Sequence, residues 1–313
     1  MAQFAFVFPG QGSQSVGMLD AWGDNAAVRN TVAEASNAID LDIGRLIKEG
    51  PAEKLALTVN TQVVMLVASI AAYRAWRAEG GAAPGAVAGH SLGEYSALVA
   101  AEALTLADAV PLVRLRAQAM QDAVPVGSGA MVAVLGLDGA TVQRCCAQAA
   151  AESGEVVSAA NFNDPKQTVI AGSKAGVEAA GVLLKAAGAK RQVPLQVSAP
   201  FHSALMKPAA DLLQQRLAAV QIQAPRIPVV NNIDVAAETE PARIRDALVR
   251  QAYGPVRWVE VVQALRARGL THIVECGPGP VLGNMVNRID PTAVPGHLLD
   301  PATLAATKTA LQA

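Results

Sequence analysis

The chain reads as an α/β protein with a smaller unit inserted into it. Two observations predict this. Short apolar runs of strand length alternate with longer helix-patterned ones in both flanks of the sequence, the signature of a parallel sheet covered by helices. Between residues 127 and 198 the order changes to strand, helix, strand, strand, helix, strand, which is the ferredoxin-like pattern. The expected organisation is a large α/β unit made of residues 1–126 and 199–313, interrupted by a ferredoxin-like unit at 127–198.

The elements follow in order. "FAFVFPG" opens as a buried strand. Residues 61–76, "TQVVMLVASIAAYRAW", have a helical pattern that is apolar on most faces, so an interior helix is expected. "AVAG" (86–89) is a short strand, and "SLGEYSALVAAEAL" after it is a helix. Residues 107–124 form a further helix with Pro111 near its start, where proline is tolerated. In the insert, strands are expected at 130–135, 156–163, 167–172 and 190–197, and helices at 140–151 and 174–188. Asp164-Pro165 marks the turn between the middle two strands. The second flank carries strands at 227–232 and 271–277, with helices between and after them.

Composition narrows the function. Of 313 residues, 52% are hydrophobic and 16% charged, which suits a compact globular enzyme. Twenty-five basic residues nearly cancel 26 acidic ones, so no electrostatic case exists for binding nucleic acid or an anionic membrane. No apolar run is long enough to span a bilayer. The first ten residues lack a basic region and a cleavage site, and read as a strand rather than a signal peptide. Cys145, Cys146 and Cys276 have no metal-binding or disulfide spacing. The first two fall in a helical run and read as inert core thiols. A cytoplasmic protein without a metal site is expected.

One junction carries chemistry. Gly89-His90-Ser91-Leu92-Gly93 lies between a strand and a helix. G-x-S-x-G in that context is a nucleophile elbow: the glycines permit a tight turn that lifts the serine hydroxyl to the surface. The following helix aims its free N–H groups and positive dipole end at the same spot, so the N–H of Leu92 is placed to donate to an oxyanion. A glycine-rich loop whose serine merely caps the helix fits the same residues. Of the four histidines, His90 adjoins the serine but leaves on the other side of the turn, His272 falls inside a strand and His297 near the end of the chain. His202, in "SAPFHSALM", is left as the candidate base, although a lone loop histidine is more often an ordinary surface residue. Pro200 keeps Ala199 out of a helix, which puts His202 on a loop where the chain re-enters the large unit. In the first loop, "FPGQGSQSVGM", Gly10, Gly12 and Gly17 are compatible either with a phosphate loop or with a tight turn supplying the second oxyanion N–H.

Together these segments resemble the malonyl-CoA:acyl carrier protein transacylases of fatty-acid synthesis, the FabD family. The likeness covers nearly the whole chain and rests on "FPGQGSQ", "GHSLGEYSAL", "RLRAQAMQDAVP", "NFNDPKQTVIAG", "VSAPFHSALM" and "RQAYGPVRW" in the family's order. It implies a hydrolase-like α/β core with a ferredoxin-like insert. It also implies Ser91 as nucleophile and His202 as base, oriented by a backbone carbonyl or amide near Gln251 rather than by an aspartate. The N–H groups of Gln11 and Leu92 would form the oxyanion hole. Arg116 would hold the malonyl carboxylate, with Gln251 and Gln62 helping to fix the site. The partners implied are malonyl-CoA and acyl carrier protein, with coenzyme A entering as part of the substrate and no permanent cofactor. Phenylalanine precedes His202, where bacterial members often carry a smaller residue, which bears on the width of the acyl pocket. Arg116 also has a physical rationale: a guanidinium matches a carboxylate with two parallel hydrogen bonds, and its helix is otherwise rich in Leu, Val and Ala. Two other functions remain open at this point. One is a serine hydrolase or thioesterase using water as second acceptor; the other is a carrier-protein docking subunit without catalysis.

Overall fold

The computed structural model describes residues 3–312, so Met1, Ala2 and Ala313, the extreme ends of the expected large unit, lie outside the described residues. Its nine strands are β1 (Phe4–Phe8), β2 (Ala86–Gly89), β3 (Gly129–Leu135), β4 (Val157–Asp164), β5 (Gln167–Ser173), β6 (Arg191–Pro194), β7 (Val229–Val230), β8 (His272–Cys276) and β9 (Val294–Leu298). They form two sheets. The first runs β7-β2-β1-β8-β9 with every pair parallel, and the second runs β4-β5-β3-β6 with every pair antiparallel. The second sheet, with helices Gly139–Ser153 and Lys174–Ala186, has the ferredoxin-like order.

β1 is buried on both faces, as the central strand of a parallel sheet must be. Phe4, Phe6 and Phe8 alternate toward helix Thr58–Ala78, where Phe6 meets Trp76 edge-on at 5.5 Å between ring centroids. Ala5 and Val7 face the other way, onto Trp258, Val261 and Leu265 of helix Trp258–Ala267. Because all five strands are parallel, their C-terminal ends share one edge, where open α/β sheets bind ligands.

The antiparallel sheet is tied to that edge by polar contacts. The N–H of Phe162 on β4 donates to the Val256 carbonyl at 2.9 Å, and the Val256 N–H returns a bond to Ala160 at 2.8 Å. Arg288 pairs with the buried Asp164 at 2.6 Å. The two sheets therefore meet at a fixed seam.

Several expected elements differ in extent. The strand expected over 190–197 stops at Pro194, because β6 pairs only with the Val132–Leu135 part of β3, and Leu195 to Val197 continue as a cavity-lining loop. The strand expected over 227–232 keeps only two ladder residues, and Asn232 beyond them turns toward the elbow. The helix after the serine begins at Gly93 and stops at Ala100. β9 has mixed Val-Pro-Gly-His-Leu composition and no clear alternation, which hides it in the sequence. Cys146 is buried while Cys145 is half-buried. Among the described residues, no helix is long and apolar enough to cross a membrane.

Candidate active site

The elbow is a crowded junction. A Cβ at Gly89 would stand 1.8 Å from the carbonyl carbon of Gly93, and one at Gly93 would stand 2.0 Å from the Phe8 carbonyl oxygen on β1. Only glycine allows strand, turn and helix to approach this closely. Ser91 sits between them in the left-handed region at φ 50°, which costs a non-glycine residue on the order of 1–3 kcal/mol. Asn232, two residues beyond β7, holds it there. Its Oδ1 accepts the Ser91 N–H at 2.8 Å and its Nδ2 donates to the Gly89 carbonyl at 2.7 Å.

The Ser91 Oγ lies 2.7 Å from Nε2 of His202. His202 is also left-handed, at φ 61°, in the turn before helix Lys207–Ala218. Its Nδ1 lies 2.9 Å from the Gln251 carbonyl and 3.1 Å from that of Gly254. Carbonyls only accept, so the ring proton belongs on Nδ1 and the lone pair of Nε2 faces the serine. Burial, and then the positive charge of Arg116, pull the His202 pKa from its ordinary 6.5 down to about 3. His90 takes no part in this pair: its Nε2 is 2.8 Å from Asn163 Oδ1 on β4, and burial lowers its pKa.

Arg116 projects from helix Leu106–Asp122 into the same place and is only 2% exposed. Its Nη1 donates to Gln62 Oε1 at 2.6 Å, and its Nη2 to Gln251 Oε1 at 3.0 Å and to Ser91 Oγ at 3.2 Å. The Tyr95 ring lies below, 5.4 Å from the guanidinium carbon. All three acceptors are neutral, and Nε has no partner among the described residues. The nearest acid, Glu94, reaches Arg116 only across the Gln251 amide, so the guanidinium has no direct anionic partner, and an anion placed against it would supply one.

A cavity of about 130 Å³ joins these groups. Ser91, His202, Arg116, Gln62, Gln11 and Leu92 line it, with Met120 and Phe201 among its apolar walls. The N–H groups of Gln11 and Leu92 have no hydrogen-bond partner among the described residues. Gln11 is exposed, and its side chain makes a 3.4 Å contact to Thr58 Oγ1. Six of the seven residues singled out in the sequence thus line one space, and the seventh, Gln251, stands behind it, bonded to Arg116 and to the Ser91 carbonyl. No group of three or more His, Cys, Asp or Glu side chains among the described residues is arranged to hold a metal ion.

Three contributors were not singled out: Asn232, the Gly254 carbonyl and Glu94. The first had a legible signal, a pair of asparagines ending an apolar strand on the sheet edge where the elbow lies. Glu94 had one too, a single acid in an otherwise apolar helix directly after the serine. The Gly254 carbonyl is a backbone group 52 residues from its histidine, and nothing in composition marks it.

A parallel α/β core carrying a serine–imidazole pair at a strand-to-helix elbow, with a ferredoxin-like sheet packed at its edge, is the architecture of an acyl transferase. Residues 5–292 match the acyl transferase domain model. The malonyl CoA-acyl carrier protein transacylase of Escherichia coli K12 is 54% identical over 307 residues, 98% of this chain and 99% of that one. A crystal structure of an acyl-carrier-protein S-malonyltransferase from Burkholderia pseudomallei is 60% identical and superposes with a TM-score of 0.96, covering 98% of this chain and 99% of that one. A malonyl-transacylase in complex with a type II polyketide-synthase acyl-carrier protein is 47% identical, with a TM-score of 0.96 over 99% of this chain and 100% of that one. The chain belongs to the malonyl-CoA:acyl carrier protein transacylase family of acyl transferases.

Proposed function

We propose that the protein moves a malonyl group from malonyl-CoA to the phosphopantetheine thiol of acyl carrier protein through a malonyl ester on Ser91. His202 takes the Ser91 proton at Nε2 as Oγ attacks the thioester carbonyl. The N–H groups of Gln11 and Leu92 stabilise the oxyanion. When the carbon–sulfur bond breaks, His202 returns the proton and coenzyme A leaves as the free thiol. The carrier thiol then attacks the ester, passing its proton through His202 back to Ser91. The dyad and the N–H pair supply the chemistry, so the reading calls for no resident cofactor. The observation that carries it is Arg116, a buried cation with only neutral acceptors, 3.2 Å from the nucleophile. That position suits an acyl group ending in a carboxylate. The division into a large unit (1–126 and 199–313) and a small one (127–198) belongs to the same reading, with the site at their seam. Three free thiols support a cytoplasmic location.

Incubation with malonyl-CoA and weighing of the intact protein tests the proposal. A malonyl adduct should form, persist without thiol, and be discharged by holo acyl carrier protein. Rapid loss of the adduct to water would instead favour the hydrolase reading.

The depressed pKa of His202 has a kinetic consequence. A base that is neutral far below its ordinary value stays competent as pH falls, and is lost only when pH approaches the folded-state value. Malonyl loading kcat/KM should therefore show no acid limb near 6.5, the ordinary histidine value, down to about pH 5.5. A substrate carboxylate on Arg116 would cancel part of the charge that depresses His202, making it a stronger base in the complex than in the free enzyme. An acid limb between about pH 6 and 7 in kcat/KM would show that the free histidine is solvated rather than buried.

A further inference from the structure

Glu94 is buried at 2% exposure in the first turn of helix Gly93–Ala100, three residues after the nucleophile. It does not touch the Ser91 hydroxyl. Its Oε2 accepts two hydrogen bonds: from Gln251 Nε2 at 3.1 Å and from the backbone N–H of Asn232 at 2.9 Å. Both donors belong to residues that hold the site.

The Gln251 amide is the centre of this arrangement. Its Nε2 donates to Glu94 and also to the Ser91 carbonyl at 2.9 Å, and its Oε1 accepts from Arg116 Nη2. An amide can rotate by half a turn at little cost in shape, exchanging donor for acceptor. Flipped, it would set its NH₂ against the guanidinium, which can only donate, and its oxygen against the Glu94 carboxyl oxygen and the Ser91 carbonyl. An acceptor at Glu94 forbids that orientation, so the acceptor of Gln251 must face Arg116. Meanwhile the Asn232 N–H on the same carboxylate fixes the residue whose side chain pins the Ser91 N–H and the Gly89 carbonyl.

We propose that Glu94 is a positioning residue for the carboxylate-binding arginine, acting through the Gln251 amide, and that the preference for a dicarboxylic acyl group depends on it. The proposal rests on the reading of Arg116 as the malonyl clamp. The role requires a hydrogen-bond acceptor and not a charge, because a neutral carboxyl or amide oxygen serves at Oε2 as well. Burial pushes the Glu94 pKa up to about 7, so both protonation states are reached near neutrality, and each keeps an acceptor there.

The test compares Glu94→Ala, Glu94→Gln and Arg116→Ala, each alone, and the double variant Glu94→Ala/Arg116→Ala, reading kcat/KM for loading from malonyl-CoA and from acetyl-CoA. Glu94→Ala should lower the malonyl-to-acetyl ratio by about tenfold or more, the scale of one hydrogen bond to a charged group. Glu94→Gln, which offers an amide oxygen to the same donors, should restore most of that ratio. In the double variant the ratio should match that of Arg116→Ala alone, because Glu94 acts through the arginine. If Glu94→Ala lowers malonyl and acetyl loading in parallel while Arg116→Ala inverts the preference, Glu94 is merely structural and the clamp reading stands. If Arg116→Ala itself leaves the ratio unchanged, the clamp reading fails first. Should Glu94→Ala fail to fold, Glu94→Gln decides: a ratio reduced as far as in Arg116→Ala would show that charge, not acceptance, is required, and would overturn the proposal.

Discussion

Ser91→Ala should fold normally and take up no malonyl group. The hydroxyl makes contacts only within the cavity, to His202 and Arg116, while the backbone bonds from Asn232 and Gln251 that hold the turn are independent of it. Thermal stability should therefore change little. Catalysis has no substitute nucleophile: removing a serine nucleophile with its base left in place costs about 10⁴-fold or more. Intact mass after exposure to malonyl-CoA should show no adduct where the parent protein shows one. A malonyl mass on the Ser91→Ala protein would place the nucleophile elsewhere and with it the whole cavity reading. His202→Ala is the companion. The same imidazole handles the proton in both half-reactions, so loading and discharge to carrier protein should slow alike. Slowing of loading alone would assign the second proton transfer to another group.

The parts of this site that were legible in the sequence are those whose local geometry demands particular residues. Gly89 and Gly93 are visible because no other residue survives a 1.8 or 2.0 Å approach, so the elbow announces itself. β1 is visible because a strand buried on both faces must be continuously apolar. The βαββαβ insert is visible in the order of its elements and in the Asp164-Pro165 turn between its middle strands, not in any alternation, since β5 is buried continuously and β6 is largely exposed. Physics alone carried His202 only by elimination among four histidines. What chooses it is the pair of carbonyls from Gln251 and Gly254, groups every residue has, brought together by tertiary packing. Arg116 has the same status. Its sequence signal is an arginine on an apolar helix, but its meaning comes from Gln62 and Gln251, 54 and 135 residues away. Here the family resemblance supplied what spacing could not. Asn232 and Glu94 fell between these two sources. Neither is a catalytic type in a recognisable motif position, and their effect is to hold other residues.

Arg116→Ala carries the substrate assignment. If its guanidinium grips the malonyl carboxylate, the variant loses a charge-assisted, two-point contact at a side chain only 2% exposed. Truncating one partner of such a pair costs on the order of 2–5 kcal/mol, so malonyl loading should fall by about 30- to several-thousand-fold in kcat/KM. Acetyl-CoA has no carboxylate to lose. It is also spared the company of a buried cation that it cannot neutralise, so acetyl loading should hold steady or rise and the preference should invert. The variant has a structural cost as well, since Gln62 Oε1 and Gln251 Oε1 both lose their donor; that cost falls on both substrates equally and cancels in their ratio. Arg114→Ala is the control. Arg114 lies on the same helix but is exposed, its Nη1 reaching only the Ile39 carbonyl at 3.3 Å, and its loss should leave the preference alone. Arg116→Lys separates charge from shape: a lysine keeps the cation without the planar fork, so it should retain part of the malonyl preference that alanine abolishes. Equal losses of malonyl and acetyl loading in Arg116→Ala would make the arginine a structural strut between Gln62 and Gln251, and a dicarboxylic substrate would then have no recognised partner in the cavity.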